Sequence, residues 1–213
     1  MNNLVMLGKF IVIEGCDFTG KSTQIKRIAS FLREHGIKHI TTREPGGTIF
    51  GEQIRELLLS NGKNVDPMTE ILLFMASRNE HIAGKIIPML NSNVSVVCDR
   101  YFASTFVYQS ILRKIPVDVI VSLQNMLLNL TPSLTIILDM QPHHIISRME
   151  AVRFKGFNSY DSKDISEVTK IRNGFLEFAE HFGESHNVVV VNANQSYESV
   201  SIDVMEQIKK LFI

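Results

Sequence analysis

The sequence has few of the features that mark secreted, membrane-spanning or nucleic-acid-binding proteins. Only two cysteines occur in 213 residues, so a disulfide framework is not expected and a reducing compartment is favoured. No apolar run approaches the roughly 20 residues that span a bilayer, and residues 1–9 lack the long apolar region of a signal peptide. Lys plus Arg and Asp plus Glu both number 22, which argues against a nucleic-acid or membrane surface. We therefore expect a cytoplasmic protein.

The length and the apolar content predict one sizeable α/β domain over residues 1–213. Five short apolar runs alternate with helical patterns, as strands that are buried on both faces do. These runs cover 10–13, 38–42, 94–98, 134–138 and 188–191. The alternation predicts a parallel sheet with helices on both faces and right-handed crossovers.

Between these runs, apolar residues recur at helical spacing. The pattern predicts helices over 22–35, 51–60, from 67 past 78, around 123–130, from 142 onward, over 165–182 and over 197–211. Gly36 is placed to end the first helix as its C′ glycine. We expect the apolar stripes of these helices to face the core.

The most informative segment is 15–22, Gly-Cys-Asp-Phe-Thr-Gly-Lys-Ser, which matches the P-loop pattern G-x-x-x-x-G-K-[ST]. Glycine permits the positive φ angles with which a backbone wraps an anion, and the N–H groups that open the next helix then face that anion. Lys21 would add a positive charge at the β and γ oxygens, and Ser22 a hydroxyl for Mg²⁺. A chance glycine turn is the alternative. The preceding strand and following helix favour a nucleoside triphosphate site.

Polar residues follow two of the other predicted strands. In an open parallel sheet, ligands bind at the carboxyl ends of the strands. Asp99 is therefore a candidate contact for Mg²⁺ or its waters, and Arg100 a candidate clamp for a phosphate. A surface ion pair is the alternative. Arg43, beside the turn at Gly46 and Gly47, fits an anion contact or a tight polar turn equally well.

Two helical faces carry side chains that suit a flat, carbonyl-rich ring. Phe74 and Arg78 are four residues apart on one predicted helix, so a stacking ring and a double hydrogen-bond donor share a face. The other face, after Asp99, combines aromatic, hydroxyl and amide groups: Tyr101, Ser104, Thr105, Tyr108 and Gln109. Either set alone would fit ordinary packing, but together with the P-loop they indicate a nucleobase pocket.

Taken together, these segments resemble the thymidylate kinases of bacteria over nearly the whole chain. The resemblance rests on Phe10-Ile11-Val12-Ile13-Glu14 with the P-loop, Thr42-Arg43-Glu44-Pro45-Gly46-Gly47-Thr48, Asp99-Arg100-Tyr101, Ser104-Thr105 with Tyr108-Gln109, and Leu138-Asp139. It separates the chain from adenylate and guanylate kinases. It implies a three-layer P-loop kinase fold with a five-stranded parallel sheet and a lid, a homodimer, and Mg²⁺-dependent transfer of a phosphoryl group from ATP to dTMP. The products would be ADP and dTDP, in dTTP synthesis for DNA replication.

The resemblance also implies roles for individual residues. The implied ATP contacts are Gly15, Cys16, Asp17, Phe18, Thr19, Gly20, Lys21, Ser22, Thr23 and Arg148. The implied dTMP contacts are Asp17 at the 3′-hydroxyl, Phe74 stacked on thymine, Arg78 on its carbonyl, Arg100 on the phosphate, and Ser104, Thr105, Tyr108 and Gln109 around the base. The implied catalytic set is Lys21, Arg100, Arg153 and Asp17, with Ser22 and Asp99 at the metal.

One residue departs from part of the family. Phe18 stands where some members carry an arginine inside the P-loop, so this chain must draw positive charge from elsewhere. The stretch 153–166 is polar and weakly periodic, and we interpret it as a mobile lid, over about 148–162, that supplies this charge. An ordinary surface loop is the alternative. Among the available donors Arg148, Arg153 and Lys155, we favour Arg153.

Two other functions fit parts of the pattern. A deoxynucleoside kinase can also combine a P-loop with Asp-Arg and a basic lid, and an assay comparing thymidine with dTMP separates the two. A P-loop switch or a clamp-loader-like ATPase would act through protein partners. The Asn-Lys-x-Asp tetrad of a GTPase is missing, however, and 213 residues leave no room for the extra helical domains of a clamp loader.

Overall fold

The centre of the molecule is a parallel sheet. The structure is a computed structural model that describes residues 8–61, 64–127, 130–153 and 164–213. Within these ranges the sheet has five strands: β1 (Phe10–Glu14), β2 (His39–Arg43), β3 (Ser95–Asp99), β4 (Leu134–Asp139) and β5 (Val188–Asn192). Their order is β2-β3-β1-β4-β5, and every pairing is parallel. The predicted parallel sheet is confirmed, and each strand lies within one residue of its apolar run.

The order of the strands explains why the site forms where it does. β1 lies at the centre between β3 and β4, and all five of its residues are buried. Its register pairs Ile13 with Asp99 on one side and Glu14 with Ile137 on the other. The loop after β1 and the Asp-Arg pair after β3 therefore lie side by side at the carboxyl edge of the sheet, which is where open α/β sheets bind ligands.

Helices surround the sheet. In the described part of the chain they are α1 (Lys21–Glu34), α2 (Ile49–Asn61), α3 (Pro67–His81), α4 (Ile87–Asn91), α5 (Phe102–Thr105), α6 (Val117–Met126), α7 (Pro142–Arg153), α8 (Ile165–Phe182) and α9 (Tyr197–Phe212). Two π-helical segments, Ile82–Ile86 and Phe106–Leu112, follow α3 and α5. A π-helical turn changes the direction in which the following side chains point. The second segment carries Tyr108 and Gln109.

Local signals set two helix ends, one of them at Gly36 as the sequence predicts. Gly36 has φ 68°, and the N–H of Gly36 and of Ile37 donate to the carbonyls of Arg33 and Leu32 at 3.1 and 2.8 Å, which is the Schellman arrangement. Asp66 caps α3 by accepting from the N–H groups of Met68 and Thr69 at 2.9 and 3.1 Å. Both ends therefore follow from short-range chemistry.

One helix differs from its prediction. The helix expected around 123–130 is α6, which begins at Val117 after Pro116 and ends at Met126. Proline cannot donate a backbone hydrogen bond and favours a helix start, whereas Leu127 is already extended with ψ 171°. Met126 is 80% exposed and so lies outside the core. In the described ranges, no helix combines the length and apolar character needed to cross a membrane, and the cytoplasmic location stays a prediction.

Candidate active site

The P-loop of residues 15–22 joins β1 to α1 and is shaped by its glycines. Gly15 has φ 130° and Gly20 has φ 101°. A Cβ on Gly15 would lie 2.7 Å from the Leu138 carbonyl oxygen, so only glycine allows this close approach. Gly20 is the N-cap of α1, and no side chain caps that helix. The first N–H groups of α1 are thus left for an anion, which the positive end of the helix dipole also attracts.

Lys21 lies folded back over this loop. Its Nζ donates to the carbonyl oxygens of Gly15 and Cys16 at 3.0 and 2.8 Å, and it lies 3.8 Å from Asp17 Oδ1. Burial, with a smaller contribution from the Arg100 charge, lowers the pKa of Lys21 to about 8. The ammonium is thus held in a dry site whose own environment does not favour its charge. Phosphate oxygens arriving at the loop would offer it a better partner.

Glu14, the last residue of β1, joins this loop to the segment after β3. Its side chain is fully buried. Oε1 accepts from the N–H groups of Tyr101 and Ser104 at 2.7 and 3.1 Å, and Oε2 accepts from the Ser104 hydroxyl at 2.6 Å. Burial raises the pKa of Glu14 despite these contacts and the nearby Arg100. The sequence analysis missed this role, although an acidic residue inside an otherwise apolar strand was the available signal.

Arg100 lies where these elements meet. Its backbone has φ 70°, a left-handed conformation that is uncommon outside glycine and often marks functional positions. Its guanidinium donates to Asp17 Oδ1 at 2.5 Å and to Ser104 Oγ at 2.9 Å. It also lies 5.4 Å from the centre of the Tyr108 ring. The structure therefore brings together Arg100, Asp17, Ser104 and Tyr108, four of the residues that the sequence predicted.

Asp99 and Ser22 fit a place beside a cation. Oδ1 of Asp99 is buried and has no hydrogen-bond partner within the described ranges, and a buried carboxylate oxygen in that state favours a positive neighbour. The Ser22 side chain is exposed at the first turn of α1. The described residues contain no cluster of three or more His, Cys, Asp or Glu that could hold a metal by itself. Any Mg²⁺ here would need phosphate oxygens and waters as further ligands, which is how Mg²⁺ commonly binds.

The other end of the site is built around Arg78, a residue of α3 that is only 2% exposed. Nε donates to Glu44 Oε2 at 2.7 Å, Nη1 to Gln124 Oε1 at 3.0 Å and Nη2 to Thr105 Oγ1 at 2.8 Å. Glu44 also contacts His81 at 3.2 Å. Burial alone would raise the pKa of Glu44, but Arg78 and His81 outweigh it, so the pKa is lowered. Arg78 therefore has a structural ion pair that the sequence analysis did not foresee.

A cleft of about 820 Å³ connects the two ends. All eight predicted dTMP contacts line it: Asp17, Phe74, Arg78, Arg100, Ser104, Thr105, Tyr108 and Gln109, together with Asp99. The sequence analysis did not select several others: Arg55, Leu58, Leu59, Glu70, Leu112, Arg113, Asp164, Ser166, Glu167 and Lys170. Arg55 donates from Nη1 to the Pro45 carbonyl oxygen at 2.9 Å. These residues come from helices distant in sequence, and no local pattern marks them.

The structure describes only part of the predicted lid. Arg148 is exposed and donates from Nη1 to the Phe18 carbonyl oxygen at 3.3 Å, so a basic residue does lie beside the P-loop. The side chain of Arg153 and residues 154–162 lie outside the described residues. After the lid, Arg172 of α8 donates to both carboxylate oxygens of Asp139 at 2.6 and 2.9 Å. This bidentate pair ties α8 to the end of β4.

The fold and the site define a P-loop kinase. The P-loop joins the central strand β1 to the uncapped helix α1, and it faces a cleft lined by arginines and aromatic side chains. The comparisons with known proteins identify the family. The family model for thymidylate kinase matches residues 13–204. The chain belongs to the thymidylate kinase family.

Relatives and solved structures agree with this assignment. A thymidylate kinase of Caldicellulosiruptor saccharolyticus is 40% identical over 208 residues, covering 97% of this chain and 96% of the relative. A thymidylate kinase of Carboxydothermus hydrogenoformans is 43% identical over 178 residues, covering 82% and 85%. The crystal structure of thymidylate kinase from Ehrlichia chaffeensis superposes with a TM-score of 0.74 at 29% identity, covering 95% and 98%. The similarity thus covers 82–97% of this chain and 85–98% of the proteins compared.

Proposed function

We infer that this chain transfers the γ-phosphoryl group of ATP to dTMP, giving dTDP and ADP. The observation that carries this inference is the shared cleft: Arg100 and Asp17 beside the P-loop line the same space as Phe74, Arg78 and Thr105 at its other end. A phosphate-binding end and a base-sized end within one cleft fit a nucleoside monophosphate as the acceptor. Membership of the thymidylate kinase family selects dTMP among such acceptors.

The donor side consists of the P-loop and Lys21. The N–H groups at the start of α1 bind the phosphates of ATP, and Lys21 leaves its two loop carbonyls to contact them. Phosphoryl transfer needs positioning and charge stabilisation more than it needs a base. The dTMP phosphate is already an anionic nucleophile, so the difficulty is to bring two polyanions together. Lys21 and Arg100 reduce that repulsion in a site that excludes water.

The acceptor side consists of Arg100, Asp17 and the α3 residues. Arg100 is held by Asp17 and Ser104, so its guanidinium is oriented before dTMP arrives and loses little freedom on binding. Arg55, half-buried at the same cleft, supplies a second guanidinium for the acceptor phosphate. Phe74 stacks on thymine and Arg78 donates to its carbonyl.

Mg²⁺ is the proposed cofactor, with Ser22 and Asp99 beside it. When bound, the ion would neutralise charge on the transferring phosphates. The unpartnered Asp99 oxygen at the end of β3 supports this position.

The lid over about 148–162 is proposed to bring Arg153 to the transferring phosphoryl group. The contact between Arg148 and the P-loop supports a basic lid at this place. We expect Arg153→Ala to lower kcat more than it raises the KM for dTMP. Near wild-type turnover would assign the role to another cation, with Arg148 the first to test.

The reaction itself is tested by a coupled assay with ATP, Mg²⁺ and a panel of acceptors. We expect dTMP to be the best acceptor and thymidine to be inactive. Rapid phosphorylation of thymidine would identify a deoxynucleoside kinase instead. ATP turnover without any acceptor would indicate an ATPase that acts through protein partners.

A homodimer is proposed through the outer face of α2 and α3. Phe50, Leu57, Met68 and Leu72 on these adjoining helices are between 42% and 54% exposed. An apolar patch of this kind on paired helices fits a self-complementary interface. We expect Leu72→Glu to give a monomer in size-exclusion chromatography with light scattering. Ile202→Glu on α9, where the side chain is 68% exposed, is the matched control and should leave the dimer intact.

A further inference from the structure

Two side-chain hydrogen bonds connect α3 to the segment 104–109 at the base end of the cleft. Glu70, Phe74 and Arg78 follow one another at four-residue intervals on α3, and all three line the cleft. Arg78 donates to Thr105, as described above. Glu70 makes the second connection, because its Oε1 accepts from Gln109 Nε2 at 3.0 Å. Glu70 has no role in the proposed phosphoryl transfer.

The carboxylate of Glu70 is held from both sides. Its Oε2 lies 3.0 Å from Nη2 of Arg113, and the two side chains are 14% and 19% exposed. Nη2 of Arg113 also donates to the carbonyl oxygen of Val65, just before α3. With Gln109 on one oxygen and Arg113 on the other, Glu70 cannot turn away from Gln109 without leaving a buried donor unpaired.

This contact removes an ambiguity that a glutamine amide otherwise has. Turning the amide by half a revolution exchanges its acceptor oxygen for its donor nitrogen. An ionised carboxylate only accepts hydrogen bonds, so Gln109 must direct Nε2 at Glu70. Gln109 is 2% exposed, and its Oε1 accepts no hydrogen bond from the residues that the structure describes. One orientation of the amide remains, with the acceptor left for a ligand.

The two pyrimidines of DNA differ at the atom that such an acceptor would meet. N3 of thymine carries a hydrogen and donates, whereas N3 of cytosine has a lone pair and accepts. A freely turning amide would pair with either base. We propose that Glu70 is a positioning residue for base specificity, which fixes the Gln109 amide so that the cleft accepts thymine or uracil and rejects cytosine. This inference rests on the proposed function, in which the base lies between α3 and the segment 104–109.

The sharpest variant is Glu70→Gln, which barely changes the side-chain volume. Arg113 still requires an acceptor, so the new amide directs its oxygen at Arg113 and its nitrogen at Gln109. Gln109 must then direct its Oε1 at this new amide nitrogen, which leaves its Nε2 to donate to the ligand. We expect the ratio of kcat/KM for dTMP to that for dCMP to fall about 10- to 100-fold. The change should lie mainly in KM, because the contact is to the base and not to the reacting phosphate.

A third acceptor, dUMP, separates base reading from general damage. Uracil has the same hydrogen-bonding edge as thymine and lacks only the methyl group. Under the proposal, Glu70→Gln weakens dTMP and dUMP together and strengthens dCMP, which can be measured as a competitive inhibitor where its turnover is slow. The proposal would be overturned if kcat/KM fell by the same factor for all three acceptors, or if the ratio for dTMP to dCMP stayed unchanged.

A double-variant comparison covers the case in which Glu70→Gln does not fold. If Glu70 acts through Gln109, Glu70→Ala lowers the dTMP-to-dCMP ratio in the wild-type background but not in a Gln109→Ala background. An equal fall in both backgrounds contradicts the proposal. If the wild-type chain phosphorylates dTMP but the variants give either contradictory result, only the role of Glu70 is refuted. If the wild-type chain phosphorylates no nucleoside monophosphate, both the proposed function and the role of Glu70 are refuted.

Discussion

The two ends of the cleft are built in different ways. At the proposed phosphate end, the hydrogen bonds of Thr19 and Lys21 join residues three to six positions apart, and main-chain carbonyl oxygens accept them. At the base end, the contacts of Arg78 join residues 27, 34 and 46 positions apart and are made by side chains. A loop made of backbone recognises any triphosphate, whereas a pocket made of distant side chains can select one base. The difference implies that the phosphate end governs rate and the base end governs affinity and stability.

The largest effect is expected from Lys21→Met at the phosphate end. Lys21 is proposed to contact the transferring phosphoryl group, so its loss should lower kcat about 10²- to 10³-fold, with a much smaller change in the KM for dTMP. Steady-state kinetics with both substrates varied measures this. Lys26→Met, an exposed lysine further along α1, is the control and should keep wild-type kcat. If the Lys21 variant changed only the KM for dTMP, the phosphate end would not differ from the base end in governing the rate.

The next effect is expected from Arg78→Met at the base end. We expect the KM for dTMP to rise about 10- to 100-fold, because charged hydrogen bonds are lost, while the KM for ATP changes little. Stability should also fall, by about 3–5 kcal/mol, because Glu44 is left buried without its main partner. Denaturant unfolding and dTMP kinetics measure the two effects separately.

A second variant separates the two roles of Arg78. In Arg78→Met combined with Glu44→Gln, the buried charge is gone, so most of the lost stability should return while the KM for dTMP stays high. Recovery of both quantities would mean that Arg78 serves only the fold. Recovery of neither would mean that the Glu44 charge was not the source of the instability.

The smallest effect is a pH dependence that belongs to the phosphate end alone. Lys21 has a pKa of about 8 in the folded chain against 10.5 for its ordinary value. Between these values the unfolded chain holds the proton that the folded chain has lost, so raising the pH favours the folded state. From pH 8 to 10.5, nucleotide-free wild type should gain about 2–3 kcal/mol of stability relative to Lys21→Met. Thermal unfolding of both chains at several pH values measures this, and a constant difference would contradict the buried, charge-opposed state of Lys21.

The sequence was most informative where the chemistry is short-range. The P-loop match, the apolar strands and Gly36 each depend on neighbours within a few residues, and the structure confirms the sheet and the helix end at Gly36. The family resemblance added predictions for the residues that contact dTMP, and the structure brings all eight of them into one cleft.

What only the tertiary structure decided are the contacts that support those residues. Glu14 under Ser104, Glu44 between Arg78 and His81, and Glu70 against Gln109 all pair a carboxylate with a partner from a different element. Strand order and helix packing determine such pairs, because they bring residues tens of positions apart into hydrogen-bond distance. The spacing of residues along the chain does not predict these pairs. The sequence alone determined that this protein binds nucleotide phosphates at the end of a parallel sheet, because a backbone loop is encoded locally. The tertiary structure decided which side chains hold Arg78 and Gln109 in the cleft, because buried charges find their partners only when the chain has folded.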